Sequence, residues 1–387
     1  MTPGARVSAA IDVLDRYLAG APLEQALTNW GRASRFAGSG DRAAIRDIVF
    51  DAVRCRRSFA VLGGSVTGRG LVLGGLRATM TPPETLFDGT GHSPAPLGDA
   101  DQPFPGPMTQ GERLDCPDWL LPLLAHSLGN DLEPVLQTLQ HRAPVFLRVN
   151  MRRIDRPAAI KLLAAQGIIA IPAPLAQTAV EVVSHARKVA ASAAYADGLV
   201  ELQDAASQAV IELLPLSDGM RVLDYCAGGG GKSLGMGALA RLSLTAHDVN
   251  VGRLRDLPAR AARAGITVSF ADTETVARQP AFDLVLTDVP CSGSGAWRRA
   301  PHGKWALTPD ALSEVCGMQA RILDAAARCV RPGGYLAYVT CSMLDVENTD
   351  QTSGFIERNQ EYKSLFSQQF TPLHGGDGFF VELLKRN

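Results

Sequence analysis

From about Glu201 onward, short apolar runs alternate with helical stretches, and this alternation restricts the possible folds more than any other property of the chain. RVLDY (221–225), LTAHD (244–248), TVSF (267–270), DLVLTD (283–288) and YLAYVT (335–340) read as buried strands separated by helices. Such an order predicts an α/β fold, a doubly wound parallel sheet whose ligand crevice lies at the carboxyl ends of its strands. The closing pieces YKSLF and GFFVELL predict an antiparallel hairpin at one edge.

Upstream, Val7, Ile11, Leu14 and Leu18, then Ile45, Ile48, Val49 and Val53, recur at helical spacing and predict a small helical domain over 1–80. Residues 81–117 are rich in Pro, Gly and Asp and read as a linker. A helical connector and a small α+β module follow over 118–200, built from VFLRVN, PAAIKLLAAQG, IIAIPAP, AVEVV and GLVELQD. The parallel-sheet domain then occupies 201–387.

The 387 residues are 46% hydrophobic and 20% charged, enough for a large core, and the formal net charge of −1 provides no global positive field. A nucleic-acid partner would therefore be held by local basic patches. Candidates are Arg32, Arg35, Arg42, Arg46, Arg54, Arg56 and Arg57 in the helical segment, and Arg148, Arg152, Arg153 and Arg156 in the module. Arg298, Arg299 and Lys304 beside Trp305 form a third cluster. The first group reads equally as a solvated helix surface and the second equally as structural ion pairing, while the alternative for the third is solvated loop charge. Seven cysteines without a C-x-x-C pair speak against a disulfide framework and against a zinc site, so no metal is expected. With no leader pattern and no run approaching ~20 apolar residues, a cytoplasmic location with no membrane partner is expected, and a monomer by default.

The sharpest local motif is DYCAGGGGKS at 224–233, where four glycines follow a strand and open a helix. A phosphate-cradling P-loop is excluded because Cys226 stands where its first glycine must be. The dinucleotide pattern fails too, since the third glycine is replaced by Ser233 or Leu234. What remains is an acidic strand end (Asp224), a glycine turn (Cys226, Ala227, Gly228, Gly229, Gly230, Gly231) and Asp248 ending the next strand, where a carboxylate can accept both ribose hydroxyls. That set suits S-adenosyl-L-methionine, which has a ribose and no phosphate. Asp272, after the third strand, is placed for the adenine amino group or for a turn. Lys232 can pair with the cofactor carboxylate or with Asp288, or stand exposed on its helix.

Two cysteines, Cys291 in TDVPCSGSG and Cys341 in VTCSM, each follow a predicted strand and thus stand over the crevice, where two thiols can share one substrate. DYCAGGGGKS, AHDVNVGRL, FDLVLTDVPCSGSGAWRR and YVTCSMLDVEN, in this order, resemble the bacterial RNA cytosine-C5 methyltransferases of the Sun/Fmu family. The likeness extends from about Phe146 to Lys385, taking in FLRVN, GLVELQDAASQ and DGFFVELL.

The resemblance implies a Rossmann-like class I methyltransferase domain at the C-terminus, an N-terminal RNA-binding domain like that of the antiterminator NusB, and ribosomal RNA as partner. Transfer RNA, or a noncatalytic role in ribosome assembly, are the competing assignments. It implies Cys341 as the nucleophile that adds to cytosine C6 and Cys291 as the helper of its release, with Asp288 bonding cytosine N3 or N4 and Lys232 beside it. Arg253 matches the family's arginine after Asp248, either touching cofactor or bracing that acid, and Pro290 stiffens the turn beside the cofactor. The family carries Ala-Pro where Gly228 and Gly229 stand here, which predicts a more flexible cofactor loop.

Overall fold

A computed structural model describes residues 1–278 and 282–387. By compactness the chain divides into two units. The first comprises Met1–Ala125, Gly129–Arg142 and Trp297–Ala306; the second comprises His126–Leu128, Ala143–Ala296 and Leu307–Asn387.

The first unit is helical. Helices α1 (Pro3–Leu18), α2 (Leu23–Ala33), α3 (Ser39–Arg54), α4 (Arg56–Gly63) and α5 (Gly68–Ala78) bury the periodic residues Val7, Val13, Leu14, Ile45, Val49, Val53 and Leu71. Thr2 caps α1, its hydroxyl accepting the Ala5 amide at 3.2 Å, and Pro3 occupies the first turn, where no backbone donor is needed. The stretch expected as a linker belongs to this unit. Phe87 is buried in the helical core, and Leu114 and Cys116 are fully buried, so the Pro- and Gly-rich composition hides a packed segment. Residues 297–306, which lie within the parallel-sheet domain in sequence, also fold into the helical unit.

The second unit contains two sheets. In the smaller, β1 (Val145–Val149), β2 (Ile169–Pro172), β3 (Ala179–Ser184) and β4 (Val200–Leu202) pair antiparallel in the order β2-β3-β1-β4, with the helix Arg156–Ala165 between β1 and β2. This is the α+β module expected from sequence.

The larger sheet has β5 (Arg221–Asp224), β6 (Ser243–Ala246), β7 (Ser269–Phe270), β8 (Phe282–Asp288), β9 (Val330–Thr340), β10 (Tyr362–Phe370) and β11 (Phe379–Arg386). Their order is β10-β11-β9-β8-β5-β6-β7. The five strands β5 to β9 pair in parallel, while β10 and β11 form the expected antiparallel hairpin, with β11 beside β9. Alternate residues of one strand enter opposite cores: Val222, Leu284, Leu286, Ala337 and Val339 on one face, Leu223, Val285, Leu336 and Tyr338 on the other. Burial on both faces is why these strands read as continuous apolar runs rather than alternating ones. Strand order reverses between β5 and β8, so the loops leaving those two strands diverge and open a crevice between them.

Candidate active site

The loop after β5 is shaped by its glycines. Gly228 and Gly230 adopt φ of +51° and +76°, and Gly230 is the N-cap of the helix Gly231–Leu239. A Cβ on Gly230 would lie 2.2 Å from Leu257 Cδ1, inside a buried cluster. Gly230→Ala therefore combines a left-handed backbone penalty with overpacking. It should cost about 2–5 kcal/mol in denaturant unfolding; a loss under about 0.5 kcal/mol, the range of an ordinary surface substitution, would contradict this account.

The loop is held from both sides. Asp248, buried at the end of β6, accepts the Gly228 amide on Oδ2 and the Asn250 amide on Oδ1, both at 2.9 Å. Arg253 stands 3.5 Å from the same carboxylate, so it braces the acid. Arg260 donates to the Gly229 carbonyl. These bonds tie down the turn that the glycine-for-Ala-Pro departure predicts to be looser.

At the strand end, Asp224 is fully buried, accepts Ser233 Oγ at 2.6 Å on one oxygen, and has no partner on the other. Burial pushes its carboxyl up to about 7. The residues fit S-adenosylmethionine: glycines let backbone approach a ligand, each Asp248 oxygen keeps an acceptor site for a ribose hydroxyl, and Asp224 has an unpartnered oxygen for a cationic group. Asp272 is exposed and accepts the Thr275 amide at 2.8 Å, capping the next helix. Ala227 is buried, and its amide donates to the His247 carbonyl at 2.9 Å. Cys226 is half-buried, and burial pushes its thiol well up, as suits a packing residue.

Across the crevice, Asp288 ends β8 and pairs with Lys232 Nζ at 2.6 Å. Lys232 is 7% exposed and also lies over the Phe379 ring, its ammonium 4.9 Å from the centroid, so it is not a solvated helix lysine. Two residues beyond Asp288, Pro290 presents its carbonyl to Gln319 Nε2 at 2.9 Å.

Cys291 and Cys341 follow the adjacent parallel strands β8 and β9, and their Sγ atoms are 3.3 Å apart. The hydrogen bond to Cys341, then burial, pushes the Cys291 thiol well above its ordinary range. The loops carrying the thiols are laced together: the Gly295 amide donates to the Cys341 carbonyl at 2.9 Å, and the Met343 amide to Ser294 Oγ at 2.7 Å.

The arrangement includes residues the sequence reading missed. Glu347 is fully buried and accepts the Ser292 amide (2.7 Å) and hydroxyl (2.5 Å), the Ser342 hydroxyl (2.5 Å) and Gln319 Nε2 (3.1 Å). His247, beside Asp248, bridges the Tyr225 carbonyl (2.6 Å) and Thr273 Oγ1 (2.9 Å). Both lie inside motifs quoted for the resemblance, and that membership was the only available signal.

Several basic residues considered for RNA contact are committed elsewhere. Arg148 donates to the Gly231 carbonyl at 2.7 Å, Arg152 to Gly237 O at 3.0 Å, Arg153 to Arg263 O at 2.8 Å and Arg156 to Ala176 O at 3.3 Å. Their role is to fasten backbone carbonyls within the second unit. Arg298 donates to Arg142 O at 3.0 Å, and Lys304 is 1% exposed, so neither matches the solvent-facing basic loop the sequence suggested. In the helical unit Arg46 forks onto Glu24 and Arg57 onto Asp118, whereas Arg32 and Arg35 remain exposed. Among the described residues, no group of three or more His, Cys, Asp or Glu side chains could hold a metal ion, and no single helix is long and apolar enough to cross a membrane.

Comparison with known proteins converges on one group. The family described as 16S rRNA methyltransferase RsmB/F matches residues 211–384, and the ferredoxin-like domain of RsmF/B-like methyltransferases matches 116–189. Ribosomal RNA small subunit methyltransferase B of Xanthomonas campestris pv. campestris is 35% identical over 291 residues, covering 69% of this chain and 66% of that protein. The protein of the same name from Xylella fastidiosa is 34% identical over 286 residues, with 69% and 68% covered. The chain thus spans about two thirds of the length of the curated relatives it matches. The crystal structure of PH0851 shares the fold over 100% of this chain and 99% of its own, with a TM-score of 0.78 and 22% identity.

Proposed function

The chain belongs to the RsmB/F family of 16S rRNA methyltransferases, and from that premise we propose that it transfers a methyl group from S-adenosylmethionine to C5 of a cytosine in RNA, with 16S ribosomal RNA in the cytoplasm as substrate. The observation that carries the reading is the 3.3 Å approach of Cys291 and Cys341, two thiols from separate loops in one crevice opposite the cofactor turn.

Cytosine C5 is a poor nucleophile, and covalent addition at C6 removes that barrier. Cys341 adds as thiolate to C6, and the electron pair moves to C5 and the ring nitrogens. Asp288 orients the base by accepting from the N4 amino group, or by donating to N3 when it carries a proton, and the Lys232 ammonium beside it offsets the negative charge that develops on the ring. Asp224, the glycine turn and Asp248 would hold S-adenosylmethionine, which would supply an electrophilic methyl group. Once C5 carries the methyl, its proton passes to solvent, the C–H electron pair restores the C5–C6 double bond, and the C6–S bond breaks so that Cys341 leaves as the thiolate it entered as, its charge met by a hydrogen bond from the Cys291 thiol. C6 is shielded in a stacked helix, so the target cytosine must be unpaired or flipped out.

Asp248 anchors the cofactor in this scheme. Removing the charge in Asp248→Asn should weaken S-adenosylmethionine binding roughly 10- to 100-fold by calorimetry, the worth of hydrogen bonds to a charged acceptor. An unchanged Kd would remove Asp248 from the cofactor site. The function itself is tested by incubating the protein with labelled S-adenosylmethionine and total RNA from a strain lacking it, then mapping the label. Label at C5 of a 16S cytosine is expected; label confined to transfer RNA, or none in RNA, would overturn the assignment.

A further inference from the structure

We propose that Glu347 is a positioning residue of this reaction, a buried carboxylate that clamps the Cys291 loop to the Cys341 loop and so fixes where both sulfurs stand around one pyrimidine carbon. The inference rests on the two-thiol reading above. Glu347 follows β9 in a short helical turn, Asp345–Glu347, and is fully shielded from solvent. A buried carboxylate is expensive unless it is paired or well hydrogen-bonded, and among the described residues Glu347 has no cationic partner.

Its compensation comes from four hydrogen bonds, and the donors are significant. Ser292 is the residue after Cys291 and gives both its amide and its hydroxyl; Ser342 is the residue after Cys341 and gives its hydroxyl. The fourth donor, Gln319 Nε2, also holds the Pro290 carbonyl, on the other side of Cys291. One side chain therefore reaches the neighbours of both thiols. An apolar residue could fill the space but could not make these directional ties. Asn348 secures the same turn from behind, accepting Thr340 Oγ1 at 2.6 Å and donating to Ser342 O at 3.1 Å, so the clamp is anchored to the residues flanking Cys341. The negative charge also adds, after the Cys341 hydrogen bond and burial, to what keeps the proton on Cys291.

Glu347→Gln keeps size and shape but removes the charge and turns one acceptor into a donor. With the full-length protein and 16S rRNA, kcat should fall about 100-fold, the cost of a misplacement near 1 Å, with KM for RNA little changed. In the absence of RNA, the pH profile of Cys291 alkylation by iodoacetamide, followed by peptide mass spectrometry, should move to lower pH. Glu347→Asp retains the charge but is one methylene too short to span both hydroxyls. It should lose kcat while its alkylation profile stays near wild type.

Wild-type kcat in Glu347→Gln would overturn the proposal. So would a kcat loss in which melting temperature and S-adenosylmethionine affinity fall in parallel while the alkylation profile stays fixed. Should Glu347→Gln not fold, Ser292→Ala and Ser342→Ala each remove one tether; each should lower kcat about tenfold, the worth of one hydrogen bond to a charged group, and unchanged rates in both would refute the clamp. If the wild-type protein methylates no RNA, the proposed function fails, while the alkylation measurements still decide what Glu347 does to Cys291.

Discussion

Cys341→Ala should abolish methyl transfer while leaving cofactor binding intact. Without the thiolate, C5 must attack the methyl group unaided, and loss of a nucleophile from a cooperating catalytic set costs roughly 10⁴- to 10⁶-fold in kcat. The loop should survive the change, because the backbone bond from the Gly295 amide to the carbonyl of residue 341 does not depend on the side chain. Asp248 holds the Gly228 and Asn250 amides and Asp224 holds Ser233 Oγ, and none of these bonds involves Cys341. Single-turnover assays with labelled S-adenosylmethionine measure the loss, and a binding titration checks the control. The substitution also removes the largest cause of the upward shift at Cys291, so that thiol should react with iodoacetamide at lower pH than in the wild-type protein. Methylation persisting at a rate near wild type would remove Cys341 from the nucleophile's place.

What could be read from the sequence follows from which features are local. The strands β5, β8 and β9 are buried on both faces, so RVLD, FDLVLTD and YLAYVT are continuous apolar runs that announce themselves. TVSF shortens to Ser269–Phe270 because β7 is an exposed edge, where no core rewards a longer pairing. A run of glycines after a strand and cysteines at strand ends are also local signals, and they lie in the turn after β5 and beyond the ends of β8 and β9. The Glu347 clamp was not legible, since its donors at 292, 319 and 342 lie on separate elements and carry no periodicity. Arg148 and Lys304 show the converse. A basic side chain in a strand or loop looks the same in sequence whether it meets solvent, a phosphate or a buried carbonyl, and both of these are buried. Phe87 lay hidden for a compositional reason, as an aromatic in a Pro- and Gly-rich stretch without helical or strand periodicity has no pattern to mark it as core, and Phe104 in the same stretch is exposed.

Cys291→Ala should have a different phenotype, and the contrast separates the roles of the two sulfurs. Cys341 can still add to C6 and C5 can still accept the methyl, but the departing sulfur no longer has the thiol that stood 3.3 Å away. Release becomes slow and the protein–RNA adduct should accumulate, visible as a slower band that survives denaturing electrophoresis. Turnover should fall about 10²- to 10⁴-fold, the usual worth of a positioned acid or base, while the first methyl transfer proceeds at a rate closer to that of the wild-type protein. Burst kinetics would register this as a first methyl transfer near the wild-type rate followed by a stall before release. The adduct should require Cys341, so Cys291→Ala combined with Cys341→Ala should show none. An adduct that accumulates in Cys341→Ala instead would exchange the two assignments, because the 3.3 Å approach is by itself symmetric between the sulfurs.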